Sequence, residues 1–263
     1  MTRDIADAFA NGKAFIPFIT AGDPTLDLTE RLVPAMAKAG ADLIEIGIPF
    51  SDPMAEGPVI QDANLRALRN KVTTDDVFDM VERIRRTCDV PLVFMTYANV
   101  VFSYGTKEFA RREREVGMSG IILPDVPFEE KQEFDEPFSD EGLAVVSLIA
   151  PTSHERIRAI ARNAKGFVYC VSSLGVTGVR SEITTDVGAM VNLVREANPA
   201  IPTAVGFGIS SPDQARRMAA LSDGVIVGSA IVRMIAQYGE DATEAVVDYG
   251  RSMKKAAMQA ENS

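Results

Sequence analysis

The sequence predicts a single (β/α)8 barrel, a TIM barrel, and three observations carry that expectation. Eight short apolar runs recur, at residues 14–20, 42–48, 91–97, 120–125, 144–150, 167–172, 201–206 and 223–228, each closing on Gly, Pro, Ser or Asp. Between them lie amphipathic segments with helical spacing, such as 28–39 and 77–86, and regular strand–helix alternation builds a parallel sheet. Eight such units fit a barrel of about 250 residues, and no Pro/Ser-rich linker or break in composition divides the chain, so residues 1–263 are expected as one domain. The competing architecture, an open doubly wound sheet, calls for a Gly-rich fingerprint after the first strand. The turn there reads Thr-Ala-Gly-Asp-Pro and lacks it.

Taken in order, residues 2–9 are expected as a helix closing the lower end of the barrel. In the second run, alternation puts Ile44, Ile46 and Ile48 on one face and Leu43, Glu45 and Gly47 on the other. The β-branched face suits the outer helices, so Glu45 points into the lumen near the C-terminal end, where barrel enzymes place their chemistry. A carboxylate in an apolar run is costly to desolvate unless paired or used. The interval 52–71 is the longest and is expected to hold an extra helix at 60–68. After the sixth run comes Ser-Ser-Leu-Gly-Val-Thr-Gly, a candidate lid. The seventh run leads through Gly206 and Gly208 to Ser211, Pro212 and Gln214, which resemble a capped helix start. The eighth ends at Gly228 and Ser229, opening another helix. Loops after strands seven and eight, with free helix N–H groups, form the usual phosphate site of this fold.

Composition removes several classes. With 27 Lys+Arg against 37 Asp+Glu, a net charge of −10 argues against nucleic acid and anionic membranes as partners. Neither candidate phosphate loop contains Lys or Arg, so an anion would be held by backbone amides. The two cysteines, Cys88 and Cys170, make no disulfide framework; with acidic residues near the N-terminus and no apolar stretch of membrane length, a cytoplasmic location is expected. His154 is the single histidine and sits at a helix start behind Ser153, which reads as a solvated first-turn residue rather than a triad member. Metal sites built on histidines are unexpected for the same reason.

Schiff-base cleavage of a carbon–carbon bond needs a lysine at the barrel mouth. Lys13 and Lys165 precede their strands, at the opposite end, and the other lysines fall in helices or loops. What remains at the mouth is Glu45, Asp52, Glu56, Asp125, Tyr97 and Tyr169, a set suited to general acid–base catalysis. Burial among apolar walls would raise the pKa of Glu45 and let it carry a proton near neutral pH.

The segment 43–57, Leu-Ile-Glu-Ile-Gly-Ile-Pro-Phe-Ser-Asp-Pro-Met-Ala-Glu-Gly, is the most specific part of the chain. With Pro-Phe-Ile-Thr-Ala-Gly-Asp-Pro at 17–24, Gly-Pro-Val-Ile-Gln-Asp-Ala at 57–63, Tyr-Ala-Asn at 97–99, Asp-Val-Pro at 125–127, Gly-Val-Thr-Gly at 175–178, Gly-Phe-Gly-Ile-Ser-Ser-Pro at 206–212 and Gly-Ser-Ala-Ile-Val at 228–232, it resembles the tryptophan synthase alpha chain family over essentially the whole length. The resemblance implies retro-aldol cleavage of indole-3-glycerol phosphate to indole and glyceraldehyde 3-phosphate. It implies Glu45 as the acid–base residue and a second carboxylate, at Glu56, that accepts the indole N–H. Most members carry aspartate there, so a glutamate requires the loop to sit one methylene further back. Tyr169 would lie near the glycerol part, with Phe18, Ile60, Met95 and Ile122 walling the indole. Thr177 would be a lid residue, and Gly178, Phe207, Gly208, Gly228 and Ser229 phosphate ligands. The family's alpha chain holds no cofactor and works with a pyridoxal-phosphate beta chain in an α2β2 complex. The contact surface would lie at the mouth, around Asp52, Pro53, Asn99, Phe102 and Pro127. Other readings are a free-standing indole-releasing lyase, a non-catalytic activator of a beta chain, or another phosphate-binding barrel such as a sugar-phosphate isomerase.

Overall fold

Each of the eight apolar runs becomes a strand, and the strands pair in chain order until the eighth hydrogen-bonds the first. This computed structural model describes residues 4–171, 186–206 and 208–260. The strands are β1 (Ala14–Thr20), β2 (Ile44–Gly47), β3 (Leu92–Met95), β4 (Gly120–Ile122), β5 (Ala144–Ile149), β6 (Val168–Val171), β7 (Thr203–Gly206) and β8 (Gly224–Val227), all parallel, in a closed TIM barrel. They are mostly shorter than the apolar runs, because a run continues into the buried loop beyond the last ladder pair.

Helices wrap the barrel: α1 (Leu26–Lys38), α2 (Pro58–Arg69), α3 (Thr74–Ile84), α4 (Ala98–Tyr104), α5 (Thr106–Glu115), α6 (Gln132–Asp140), α7 (His154–Arg162), α8 (Val187–Ala197), α9 (Pro212–Leu221), α10 (Ser229–Tyr238) and α11 (Ala242–Met258). The expected extra helix after the second strand is α2. The sequence reading did not separate α4 from α5. The break is Gly105, whose φ of 97° is a conformation glycine tolerates best. Nor did it foresee α11, a second helix after the last strand, which packs on α9 and β1.

Alternation sorts the strand side chains as expected. Ile44, Ile46 and Ile48 join the layer between barrel and helices, with Phe94, Phe109 and Leu28. Leu43 joins the interior cluster with Ile16, Val93, Ile122, Val146, Phe167 and Ile226. Burying each such aliphatic side chain contributes roughly 1.5–3 kcal/mol. At the lower end, the expected N-terminal helix is a 3-10 turn, Ile5–Phe9, capped by the Asp4 carboxylate on the Ala6 N–H. Ile5 and Ala8 are buried in the interior cluster, and the Phe9 ring meets Phe167 at 5.8 Å, so the bottom of the barrel is plugged and access is from the top. Among the described residues no helix is long and apolar enough to cross a membrane.

Candidate active site

β2 fixes Glu45 in the lumen, between Phe18 on β1 and Val93 on β3 in the ladder register. Its side chain is fully buried and neither carboxyl oxygen has a hydrogen-bond partner among the described residues. Burial without a compensating cation pushes its pKa well above the usual carboxylate range. Tyr169, on β6, is buried across the lumen, and its pKa is raised by burial and then by the charge of Glu45. Two glycines make room here. A Cβ on Gly47 would stand 2.7 Å from the Phe18 ring, and one on Gly206 would stand 2.4 Å from the Tyr169 hydroxyl. Gly206, read from the sequence as a place of close backbone approach, makes room for Tyr169.

The second carboxylate sits on the loop from β2 to α2. Glu56 is buried, and its carboxylate accepts a 2.6 Å hydrogen bond from Asn64 Nδ2 on α2. The Tyr97 hydroxyl hydrogen-bonds the same carboxyl and accepts the Ala55 N–H at 3.1 Å. Gln61 Nε2 donates to the Glu56 carbonyl at 2.7 Å. Burial raises the Glu56 pKa to about 7, against the lowering effect of Asn64 and Tyr97. Helix α2 is itself tied to the barrel, because Arg66 makes two hydrogen bonds, 2.6 and 2.9 Å, to the buried carboxylate of Asp23.

Glu45 and Glu56 face one chamber, together with Tyr169, Phe18, Ile60, Met95, Gly208, Gly228 and Ser229. Its empty volume, counting the space open to solvent at its mouth, is about 630 Å³. Ala55, Pro124, Leu148, Ile209 and Ile226 complete the described lining. The sequence reading did not single these out, since they look like any other apolar strand-end residues. Ile122 is the exception among the expected walls. It pairs with Met95 in the β3–β4 register and is buried in the interior cluster, outside the described lining.

The phosphate end is asymmetric. The start of α9 is closed by its own capping box: Gln214 Oε1 accepts from the Ser210 and Ser211 N–H groups, and the Ser211 hydroxyl accepts from Gln214 N–H. The start of α10 has no side-chain cap, and its Gly228 and Ser229 line the chamber. The free helix end is therefore that of α10, where first-turn N–H groups and the helix dipole favour an anion. No lysine or arginine is among the described lining residues. Thr177, Gly178 and Phe207, and with them the candidate lid, lie outside the described residues.

Other expected mouth residues have structural work. Both Asp125 oxygens accept the Ala98 N–H at 3.1 Å, capping α4. The Asp52 carboxylate accepts from the Ser51 hydroxyl at the exposed rim. Pro53 is half-buried there, and Asn99, Phe102 and Pro127 are exposed, beside Met54 at 79% exposure. His154 is exposed at the start of α7 behind the Ser153 cap, as the sequence implies. Lys13 reaches the Ser222 carbonyl and Lys165 the Ser139 hydroxyl, away from the chamber. Lys131, grouped in the sequence with helix and loop lysines, is buried instead. It pairs with Asp135 at 3.1 Å and lines a separate cavity with Phe128, Ser147 and Ile149. Among the described residues no cluster of His, Cys, Asp or Glu is placed to share a metal ion.

Comparison with known proteins agrees with this geometry. The family model described as tryptophan synthase alpha chain matches residues 6–261. A tryptophan synthase alpha chain from Lactiplantibacillus plantarum is 49% identical over 254 residues, 96% of each chain. One from Geobacter sulfurreducens is 49% identical over 227 residues, 86% of each. Among solved structures, the tryptophan synthase alpha chain of Legionella pneumophila superposes with a TM-score of 0.87 at 36% identity, covering 97% of this chain and 98% of that one. A chain of tryptophan synthase from M. tuberculosis does so with a TM-score of 0.84 at 30% identity, covering 96% and 99%.

Proposed function

The chain belongs to the tryptophan synthase alpha chain family, and from that premise we propose which of its groups carry the family's reaction. That reaction is a carbon–carbon lyase step, the cleavage of indole-3-glycerol phosphate to indole and glyceraldehyde 3-phosphate. The observation that carries the assignment is that two buried carboxyls of raised pKa, Glu45 and Glu56, face one apolar chamber with an uncapped helix end.

Phosphate binds at the α10 start, on the backbone of Gly208, Gly228 and Ser229; the family resemblance adds Gly178 and Phe207, which lie outside the described residues. The indole ring lies among Phe18, Ile60 and Met95, with Ile122 beside Met95 on the next strand. Glu45, protonated near neutral pH, gives its proton to indole C3. Positive charge then gathers on the ring nitrogen, where Glu56 accepts the N–H. The proton of the hydroxyl beside the breaking bond passes to Glu45. The carbon–carbon bond breaks, its electron pair returns to the ring as indole, and the hydroxyl carbon leaves as an aldehyde. Tyr169 stands beside the glycerol part; the family resemblance adds Thr177, which lies outside the described residues.

The product indole goes to a pyridoxal-phosphate beta chain in an α2β2 complex. The surface for that chain is the mouth, with Asp52, Pro53, Asn99, Phe102 and Pro127. Exposed Met54 and Phe102 support this, since large apolar side chains on a rim favour a protein partner. Two buried, unbridged cysteines, Cys88 and Cys170, support a cytoplasmic setting.

Glu45→Gln tests the assignment, because it keeps the shape and removes the proton. Indole release should fall roughly 10²- to 10⁴-fold, with the circular dichroism spectrum unchanged. Substantial activity in the folded variant would overturn the role of Glu45. Stimulation of cleavage by a beta chain tests the complex and separates it from a free-standing lyase.

A further inference from the structure

We propose that Asn64 is a positioning residue for this reaction: its side-chain amide, presented by α2, holds the Glu56 carboxylate where the indole N–H must meet it. The inference rests on the reading of Glu56 given above and adds the group that makes a flexible side chain serve it. A glutamate has three side-chain torsions, and one at the lip of a chamber explores several of them unless it is tied. Here it is tied. Asn64 Nδ2 donates to Glu56 Oε2 at 2.6 Å, and Asn64 is 4% exposed.

The helix that carries Asn64 is fixed to the barrel by the Arg66–Asp23 pair, and it also carries Ile60 of the indole wall. One rigid element thus sets both the plane of the ring and the acceptor for its nitrogen. Gln61, on the same helix, holds the Glu56 backbone carbonyl. A carboxylate offers about four lone-pair sites, so the bonds from Asn64 and Tyr97 leave room for the indole N–H.

The same bond has an electrostatic effect. Among the described residues, the titratable groups around Glu56 are Glu45 and Tyr169 across the chamber, Tyr97 beside it and Asp125 near Tyr97. None of them supplies a cation. The donors Asn64 and Tyr97 are what oppose burial and keep the Glu56 pKa near 7. A protonated Glu56 is the poorer acceptor for a ring nitrogen gaining positive charge, so losing Asn64 raises the pH below which the reaction fails.

The test uses the full chain with indole-3-glycerol phosphate and two variants, Asn64→Ala and Asn64→Leu. Leucine keeps the branched four-atom shape and suits a helix, so it leaves no cavity. Both should lower kcat by about 10- to 100-fold, the cost of one charge-assisted hydrogen bond, with KM changed less than about 3-fold. The acid limb of the pH–rate profile should sit near pH 7 in the unaltered chain and move upward in both variants. The corresponding 1-methylindole substrate has no N–H for Glu56, and its cleavage by the chain should be nearly insensitive to Asn64. A kcat within twofold of the unaltered chain with an unmoved acid limb would overturn the proposal. So would an equal loss on the methylated substrate, which marks Asn64 as a purely structural residue. Failure of the unaltered chain to release indole would instead remove the reading of Glu56, and the proposal with it.

Discussion

Gly206 on β7 stands directly against the hydroxyl of Tyr169 on β6: a methyl group added at position 206 would come within 2.4 Å of that oxygen and 2.7 Å of the ring. The two residues are near neighbours across the strand ladder, where Tyr169 pairs with Ala204 and Val171 with Gly206. The phenol is therefore packed over the bare backbone of Gly206. A side chain at 206 has to displace it.

Gly206→Ala should displace Tyr169 and lower kcat for indole release by about 10-fold or more, since misplacing a reacting group by about an ångström is costly. Overpacking should also cost roughly 1–3 kcal/mol of stability. Thermal unfolding and steady-state assays read the two effects separately. Unchanged kinetics in a destabilised variant would mean that the position of Tyr169 does not matter to the reaction.

Glu113 gives a prediction about stability that leaves the chamber untouched. It lies on α5, fully buried, with neither carboxyl oxygen hydrogen-bonded among the described residues, and burial raises its pKa well above 4.5. Between about pH 4.5 and the raised folded value, the folded chain binds more protons at this site than the unfolded chain, so stability is lost as pH rises through that window. Glu113→Gln removes the titration and keeps the shape. Its gain in unfolding free energy should be small at pH 5 and grow toward pH 8, to roughly 1–3 kcal/mol, read from thermal unfolding at each pH. A gain independent of pH would show that the side chain stays ionised across the range.

Asp125 ties the rim to the barrel. Both of its oxygens take the first free N–H of α4, and α4 presents Asn99 and Phe102 at the mouth. Loss of such a cap costs about 1 kcal/mol. Asp125→Ala should therefore leave the basal cleavage rate within a few-fold while weakening binding of a beta chain by several-fold. Titration of beta-chain stimulation against alpha-chain concentration checks this. A fall in basal rate as large as for Glu45→Gln would instead place Asp125 in the chemistry.

The sequence by itself determined the barrel and the direction of Glu45. Both follow from periodicity: an eightfold alternation of strand and helix specifies closure, and a period of two forces a residue flanked by Ile44 and Ile46 to the opposite face. It also determined the Ser211–Gln214 capping box and the extra helix after the second strand, because those signals are local. It placed candidate phosphate loops at both helix starts, and that the start of α10 has no side-chain cap is read from the hydrogen bonds.

Only the tertiary structure decided the partners of each polar group. Asn64 bonds Glu56 from the second turn of α2, Asp125 at the mouth also caps α4, and Lys131 is buried against Asp135. Ile122, level with Met95 in the ladder, packs into the interior cluster and is not among the described lining. Side-chain pairing depends on how far each helix slides along the barrel, and that is set by packing summed over many residues. No residue carries that sum in its own neighbourhood, which is why the site's main carboxylate was legible in the chain and the amide that holds its companion was not.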